Sequence, residues 1–269
     1  MEGSLTHLPI SQRLTILAEV KKGLVALVVG VVLASCGSGS NGSDHTEELT
    51  VFAASSLTEA LPELGDAFTA DHAGARFTFS FGSSSDLAAQ ILEGAPVDLF
   101  ASADDANMQK IVNGGEGAAT PTSVGRNTFS IIVAAGNPLG ITSIADLTDP
   151  DLIVVTCVET APCGSGALAI FANAGVSITP KSFEEKVKGV VTKVVSGEAD
   201  AGIVYVTDVL AVGHSADGVS IPIEINVTTD YAMAVTKSSD HSALAQAFID
   251  FIASDAGQAI LAKFGFLAP

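Results

Sequence analysis

Three loops of this chain place hydroxyls and glycines where a helix is about to start. Ala53-Ala54-Ser55-Ser56, Phe81-Gly82-Ser83-Ser84-Ser85-Asp86 and Pro162-Cys163-Gly164-Ser165-Gly166 each lead into residues of helical character. A helix start offers amides without intrahelical partners at the positive end of the macrodipole. Any one of these loops reads first as ordinary capping, for which serine is a favoured residue. Three of them together point to an anion site built from neutral donors. Other chemistries find little support. Gly164-Ser165-Gly166 is shorter than a Gly-x-Ser-x-Gly nucleophile elbow, and no histidine stands in a partnered setting, so a serine hydrolase is disfavoured. His45, His72, His214 and His241 are scattered, none at ligand spacing from Cys157 or Cys163, so direct metal coordination and a catalytic thiol are not expected.

The elements that must position these loops alternate in type. Leu49–Ala54 reads as a buried strand, and Leu57, Ala60, Leu61, Leu64 and Phe68 then fall on one helical face. Phe77, Phe79 and Phe81 alternate along a second strand, 76–81, followed by a helix marked by Leu87, Ala88, Ile91 and Leu92. Val97–Ala101 is a short strand. Further strands are expected at 129–134, 152–156, 201–205 and 231–235, with helices at 165–174 and 184–195 and a helical C-terminus carrying Phe248, Phe251, Ile252, Ile260, Leu261 and Phe264. Strands alternating with helices imply α/β architecture with parallel pairing. The chain is read as two lobes, with turn-rich stretches at 113–126 and 213–222. In such sheets ligands bind beyond the carboxyl ends of the strands, where all three loops lie.

The N-terminus supplies the compartment. Lys21 and Lys22 precede an apolar run of twelve residues, Gly23 to Ala34, too short for the ~20 that span a bilayer. This is secretory-signal composition, and Leu33-Ala34-Ser35-Cys36 resembles the lipobox of bacterial lipoproteins. That resemblance implies cleavage before Cys36, lipid on Cys36 and a membrane-anchored, extracytoplasmic protein. The lead before the signal is long, and Val20 stands as an alternative start to Met1. Residues 1–35 are thus expected to be signal and 36–48 a polar tether. Two of the 30 acidic and three of the 12 basic residues precede Cys36, leaving 28 against 9 and a net charge of −19. A nucleic-acid partner is disfavoured by that balance. In an exported chain, Cys157 and Cys163 are disulfide candidates.

Larger motifs narrow the reading. Val51-Phe-Ala-Ala-Ser-Ser-Leu57, Phe81-Gly-Ser-Ser-Ser-Asp-Leu87, Gly94-Ala-Pro-Val-Asp-Leu-Phe-Ala-Ser102, Arg126-Asn127 before a strand and Gly202-Ile-Val-Tyr205 resemble, in order, the molybdate-binding proteins of bacterial ABC importers. The resemblance runs from about residue 49 to Phe264-Gly265-Phe266. It implies a two-lobed periplasmic-binding-protein fold of type II, with two crossing hinge strands and the ligand in the interlobe cleft. Lobe 1 would hold 49–128 and 229–269, and lobe 2 would hold 129–228. It further implies that Ser56 and Ser84 each give a hydroxyl and an amide to the oxyanion, that Cys163 and Val187 give amides, and that Tyr205 gives its phenol. A small residue such as alanine is usual at the position of Cys163, and a paired cysteine is not, so this chain departs from the family there. The implied protein is a monomer without a cofactor, delivering molybdate or tungstate to a membrane permease and its ATPase. Molybdenum would be held as the oxyanion.

The donor types agree with that chemistry. An unprotonated tetrahedral dianion needs donors only, and serine hydroxyls, amides and a phenol all donate. A phosphate site would add an acceptor, usually a carboxylate, and Asp86 is placed to support a helix start instead. Sulfate and thiosulfate receptors remain alternatives, separated from molybdate by cavity size. A ferric-ion receptor would use several tyrosines, and this chain has Tyr205 and Tyr231 alone.

Overall fold

The chain crosses between two sheets on a single long strand. A computed structural model describes residues 46–269; the signal segment, Cys36 and most of the expected tether lie outside the described residues. The long strand is β4, Thr122–Ala134. Its first half pairs with β9, Thr228–Val235, antiparallel from Thr122 to Thr128. Its second half pairs with β7, Ala201–Tyr205, and with β8, Ala216–Ser220. The side chain of Asn226 fastens the return crossing to β4: its Oδ1 accepts from the Phe129 amide at 3.2 Å and its Nδ2 donates to the Phe129 carbonyl at 2.9 Å.

The first lobe is built on β1 (Glu47–Ala54), β2 (Ala75–Gly82) and β3 (Leu99–Ser102), in the order β2-β1-β3-β9-β4. Strand β1 is parallel to both its neighbours, and Leu49, Val51 and Ala53 on it are fully buried, as a central parallel strand requires. Helices α1 (Ala60–Asp71), α7 (Ser242–Ala253) and α8 (Asp255–Lys263) cover one face. There Phe77, Phe79 and Phe81 form a stacked row, with Phe77 packed on Phe248 at 4.4 Å. Helices α2 (Ser84–Leu92) and α3 (Asp105–Asn113) cover the other face. Asp98 braces this lobe, accepting from the Thr50 amide and the Ser239 hydroxyl.

The second lobe holds β5 (Val154–Cys157), β6 (Ser182–Glu184), β7 and β8, with α4 (Pro162–Asn173), α5 (Val187–Val195) and α6 (Val206–Val212). It has its own apolar core, drawn from Phe129 through Ile221.

Several boundaries differ from the sequence reading. Glu47 and Glu48, expected in the tether, already pair with β2. Arg126 and Asn127 lie inside β4 rather than before a strand. The strand's early half alternates poorly because its register shifts between Ser123 and Gly125, and because the C-terminal Leu267 pairs with Arg126. The stretch 213–222 contains β8, and Glu184, expected to open a helix, ends β6 instead, the helix starting at Val187. Helix α4 begins at Pro162, because proline at the first helical position loses no bond. After Ala54 comes a single 3-10 turn, Ser55–Leu57, and the regular helix waits until Ala60.

Candidate functional site

Four helical starts meet between the lobes. From lobe 1 come the Ser55–Leu57 turn and α2; from lobe 2 come α4 and α5. None of the residues preceding them, Ala54, Ser83, Ala161 and Lys186, bonds a helix amide through its side chain. Asp104 and Ser254 do cap α3 and α8. Helices α1 and α7 also lack side-chain caps. Ser83 thus does not play the capping part that its residue type favours; its hydroxyl pairs with that of Ser85 at 2.8 Å. The first amides of the four starts remain available as donors.

Ser56, Ser84, Cys163, Val187 and Tyr205 line one cavity between these starts, each at most 3 % exposed. Ala54, Ser55, Gly82, Ser83, Ala103, Pro162 and Lys186 complete the wall. The cavity is small, about 10 Å³, far below the range of sites for drug-sized ligands. No Asp or Glu is among the lining residues. Asp86, at the start of α2, is not on the wall.

Each hydroxyl is set by a neighbour. The Ala103 amide donates to Ser84 Oγ at 3.0 Å, which leaves the Ser84 proton free. Ser56 Oγ lies 2.7 Å from the Tyr231 hydroxyl, and a bond donated by Tyr231 leaves the Ser56 proton free likewise. Tyr205 ends β7, its ring against Phe129 at 4.6 Å and edge-on to Tyr231 at 6.1 Å. Its hydroxyl is buried and has no hydrogen-bond partner in the described protein. Burial, with the nearby Tyr231, Asp208 and Asp104, pushes the Tyr205 phenol well above its ordinary value, so it stays a donor.

The loop around Cys163 is held by close packing. A disulfide joins Cys163 to Cys157, with Cα atoms 5.6 Å apart. A Cβ on Gly164 would stand 1.9 Å from the Val158 carbonyl oxygen, and one on Gly166 would stand 2.1 Å from the Phe129 ring. Ser165 is exposed and donates to the Pro162 carbonyl, a turn contact rather than a nucleophile's setting.

A charged group behind the wall escaped the sequence reading. Lys188 Nζ lies 2.9 Å from Glu59 and 3.0 Å from the fully buried Asp208. Burial pushes the Asp208 carboxyl up, while Lys188 draws it back. Burial also works against the Lys188 charge, but Asp208 and Glu59 outweigh it and hold the ammonium above its ordinary value. The available signal was Asp208 three residues after Tyr205, where a carboxylate reaches back to a helix start; its Oδ2 accepts the Tyr205 amide at 3.1 Å.

Comparison with known proteins agrees in fold and in extent. Residues 49–267 match the family of bacterial extracellular solute-binding proteins. The molybdate-binding protein ModA of Mycobacterium tuberculosis (strain H37Rv) is 41% identical over 253 residues, covering 92% of this chain and 97% of the relative. The periplasmic molybdate-binding protein of Azotobacter vinelandii superposes with a TM-score of 0.73 at 21% identity, covering 82% of this chain and 99% of the other. The sulfate-binding protein SubI of M. tuberculosis reaches the same TM-score at 23% identity, covering 81% and 86%. The two solved structures share the two-lobed fold and say nothing of the ligand here.

Proposed function

Because this chain belongs to the family of bacterial extracellular solute-binding proteins, we propose that it captures molybdate, and tungstate with it, for delivery to an ABC permease and its ATPase. One observation carries the choice: the cavity wall offers serine hydroxyls and helix-start amides, includes the unpartnered buried hydroxyl of Tyr205, and contains no carboxylate. Such a wall suits an unprotonated dianion and disfavours one that carries a proton. The hydroxyls of Ser56, Ser84 and Tyr205 and the amides of Ser56, Ser84, Cys163 and Val187 are the assigned donors. The 41% identity with ModA supports molybdate over sulfate. Binding is by hydrogen bonds alone, with no bond from protein to molybdenum and no cofactor. The donors come from both lobes, so the anion favours the closed cleft by bridging them.

The test is a melting series with isothermal titration. Micromolar molybdate and tungstate should raise the melting temperature, with sulfate and phosphate needing far more; a hundredfold excess over Kd stabilises by roughly 2.7 kcal/mol. Equal shifts with sulfate would reduce the proposal to a general oxyanion receptor. The same reading makes the protein a monomer tethered by lipid on Cys36. Cys36→Ala should release it from the membrane with affinity intact; continued membrane attachment would mean that the apolar run is an uncleaved anchor.

A further inference from the structure

Val187 stands on the cavity wall, and the next residue reaches across the cleft. Lys188 Nζ lies 2.9 Å from both carboxylate oxygens of Glu59, three residues past Ser56 in the first lobe. It also lies 3.0 Å from Asp208 in the second lobe, whose other oxygen accepts the Tyr205 amide. One ammonium therefore ties together the segments that carry Ser56, Val187 and Tyr205. Among the described residues no other ion pair joins the two lobes.

We propose that Lys188 is a positioning residue that latches the cleft: its bond to Glu59 favours the closed form, and its pairing with Asp208 offsets a buried negative charge next to the anion site. The bond to Glu59 exists only when the lobes meet, so it contributes to the closed form alone. The side chains of Lys188 and Glu59 are 21% and 36% exposed, so solvent screens the pair and its effect is modest, roughly twofold to fivefold in the closure equilibrium. A modest latch fits a receptor. A strong one would close the cleft ahead of the ligand and slow its entry. Asp208 is fully buried, and without Lys188 its charge would stand uncompensated beside an incoming dianion.

The use of the latch in anion capture rests on the proposed function; the latch itself does not. Glu59→Gln is the clean perturbation, because it leaves Lys188 and Asp208 paired. Solution scattering of the unliganded protein should show a larger radius of gyration in Glu59→Gln than in the wild type. Titration at low salt should show molybdate held roughly two- to fivefold less tightly. That gap should close at about 1 M salt, where the screening length falls to about 3 Å. A Lys188→Met/Asp208→Asn pair, which avoids a stranded carboxylate, should make Glu59→Gln silent when combined with it, and Lys188→Arg should retain the latch. Unchanged radius and affinity in Glu59→Gln, or penalties that simply add in the combined variant, would overturn the proposal. If molybdate does not bind the wild type, the function fails and the scattering comparison still decides the latch.

Discussion

Replacing Tyr205 by Phe should move stability and affinity in opposite directions. The ring stays, so its packing on Phe129 at 4.6 Å is kept. What goes is a hydroxyl in a residue 1 % exposed, without a partner in the described protein. An unpartnered buried polar group costs about 1–3 kcal/mol. Removing it should stabilise the unliganded protein by about 1 kcal/mol, or about 2–4 °C for a chain of this length. Molybdate loses a hydrogen bond to a charged acceptor, about 1.5–3 kcal/mol, so Kd should rise roughly 10- to 150-fold. Calorimetric melts with and without ligand would then cross, the variant being more stable when free and less stable when saturated. Titration gives the affinity independently. A lower melting temperature in the free variant with unchanged affinity would refute the reasoning, because the hydroxyl would then be bonded inside the protein and not to the ligand.

Ser84→Ala should weaken binding by about 1.5–3 kcal/mol and, unlike Tyr205→Phe, lower the stability of the free protein, since the Ala103 amide loses its acceptor; unchanged affinity would make that loop a plain structural turn. Cys163→Ser should cost about 2 kcal/mol of stability through the lost Cys157–Cys163 link but less affinity than Ser84→Ala, because the thiol position offers only its amide; a larger loss of affinity than in Ser84→Ala would contradict that role. Tyr205 and Lys188 are both held above their ordinary values of 10.0 and 10.5. Their contributions are therefore full below about pH 10 and lost as pH rises through the raised values. Molybdate affinity should be flat from about pH 7 to 9 and fall only in stronger alkali; a fall within that interval, seen by titration, would show that another group governs the site.

What was legible in the sequence followed the strength of local pattern. β1 and β7 are short apolar runs bounded by turn residues, and Phe77, Phe79 and Phe81 alternate without interruption, so these strands read directly. β4 did not. It serves two lobes, faces different neighbours in each half and shifts register near Gly125, so no single alternation spans it. β6 and β8 are short and partly exposed, and their order depends on partners far away in the chain. The loops at Ser56, Ser84 and Cys163 were visible as residue types. That they face one cavity depends on the crossing of β4 and β9, which only tertiary structure supplies. Val187 was open to family resemblance alone, since a backbone donor leaves little trace in side chains. Lys188 and Glu59 are 129 positions apart, and nothing local announces such a pair.

The charge balance of the chain makes sense of this donor set. A formal net charge of −18 sets an unfavourable long-range field for a dianion. Salt screens that field beyond about 8 Å at physiological strength. For the proposed dianion, short hydrogen bonds from desolvated amides and hydroxyls inside the closed cleft would outweigh what remains. Neutral donors have a further consequence. A flexible lysine follows an anion of any radius, whereas amides fixed by the backbone suit one radius and leave a smaller anion with long bonds. Selectivity then resides where the backbone cannot relax. A Cβ at Gly164 would run into the Val158 carbonyl and one at Gly166 into Phe129, and the disulfide ties Cys163 to the end of β5. Phe129 carries that constraint to Tyr205 through its ring and to the crossing strands through Asn226. On the proposed donor set, the second lobe's donors would hold their spacing as a unit, and the choice between tetrahedral anions would become a choice of size.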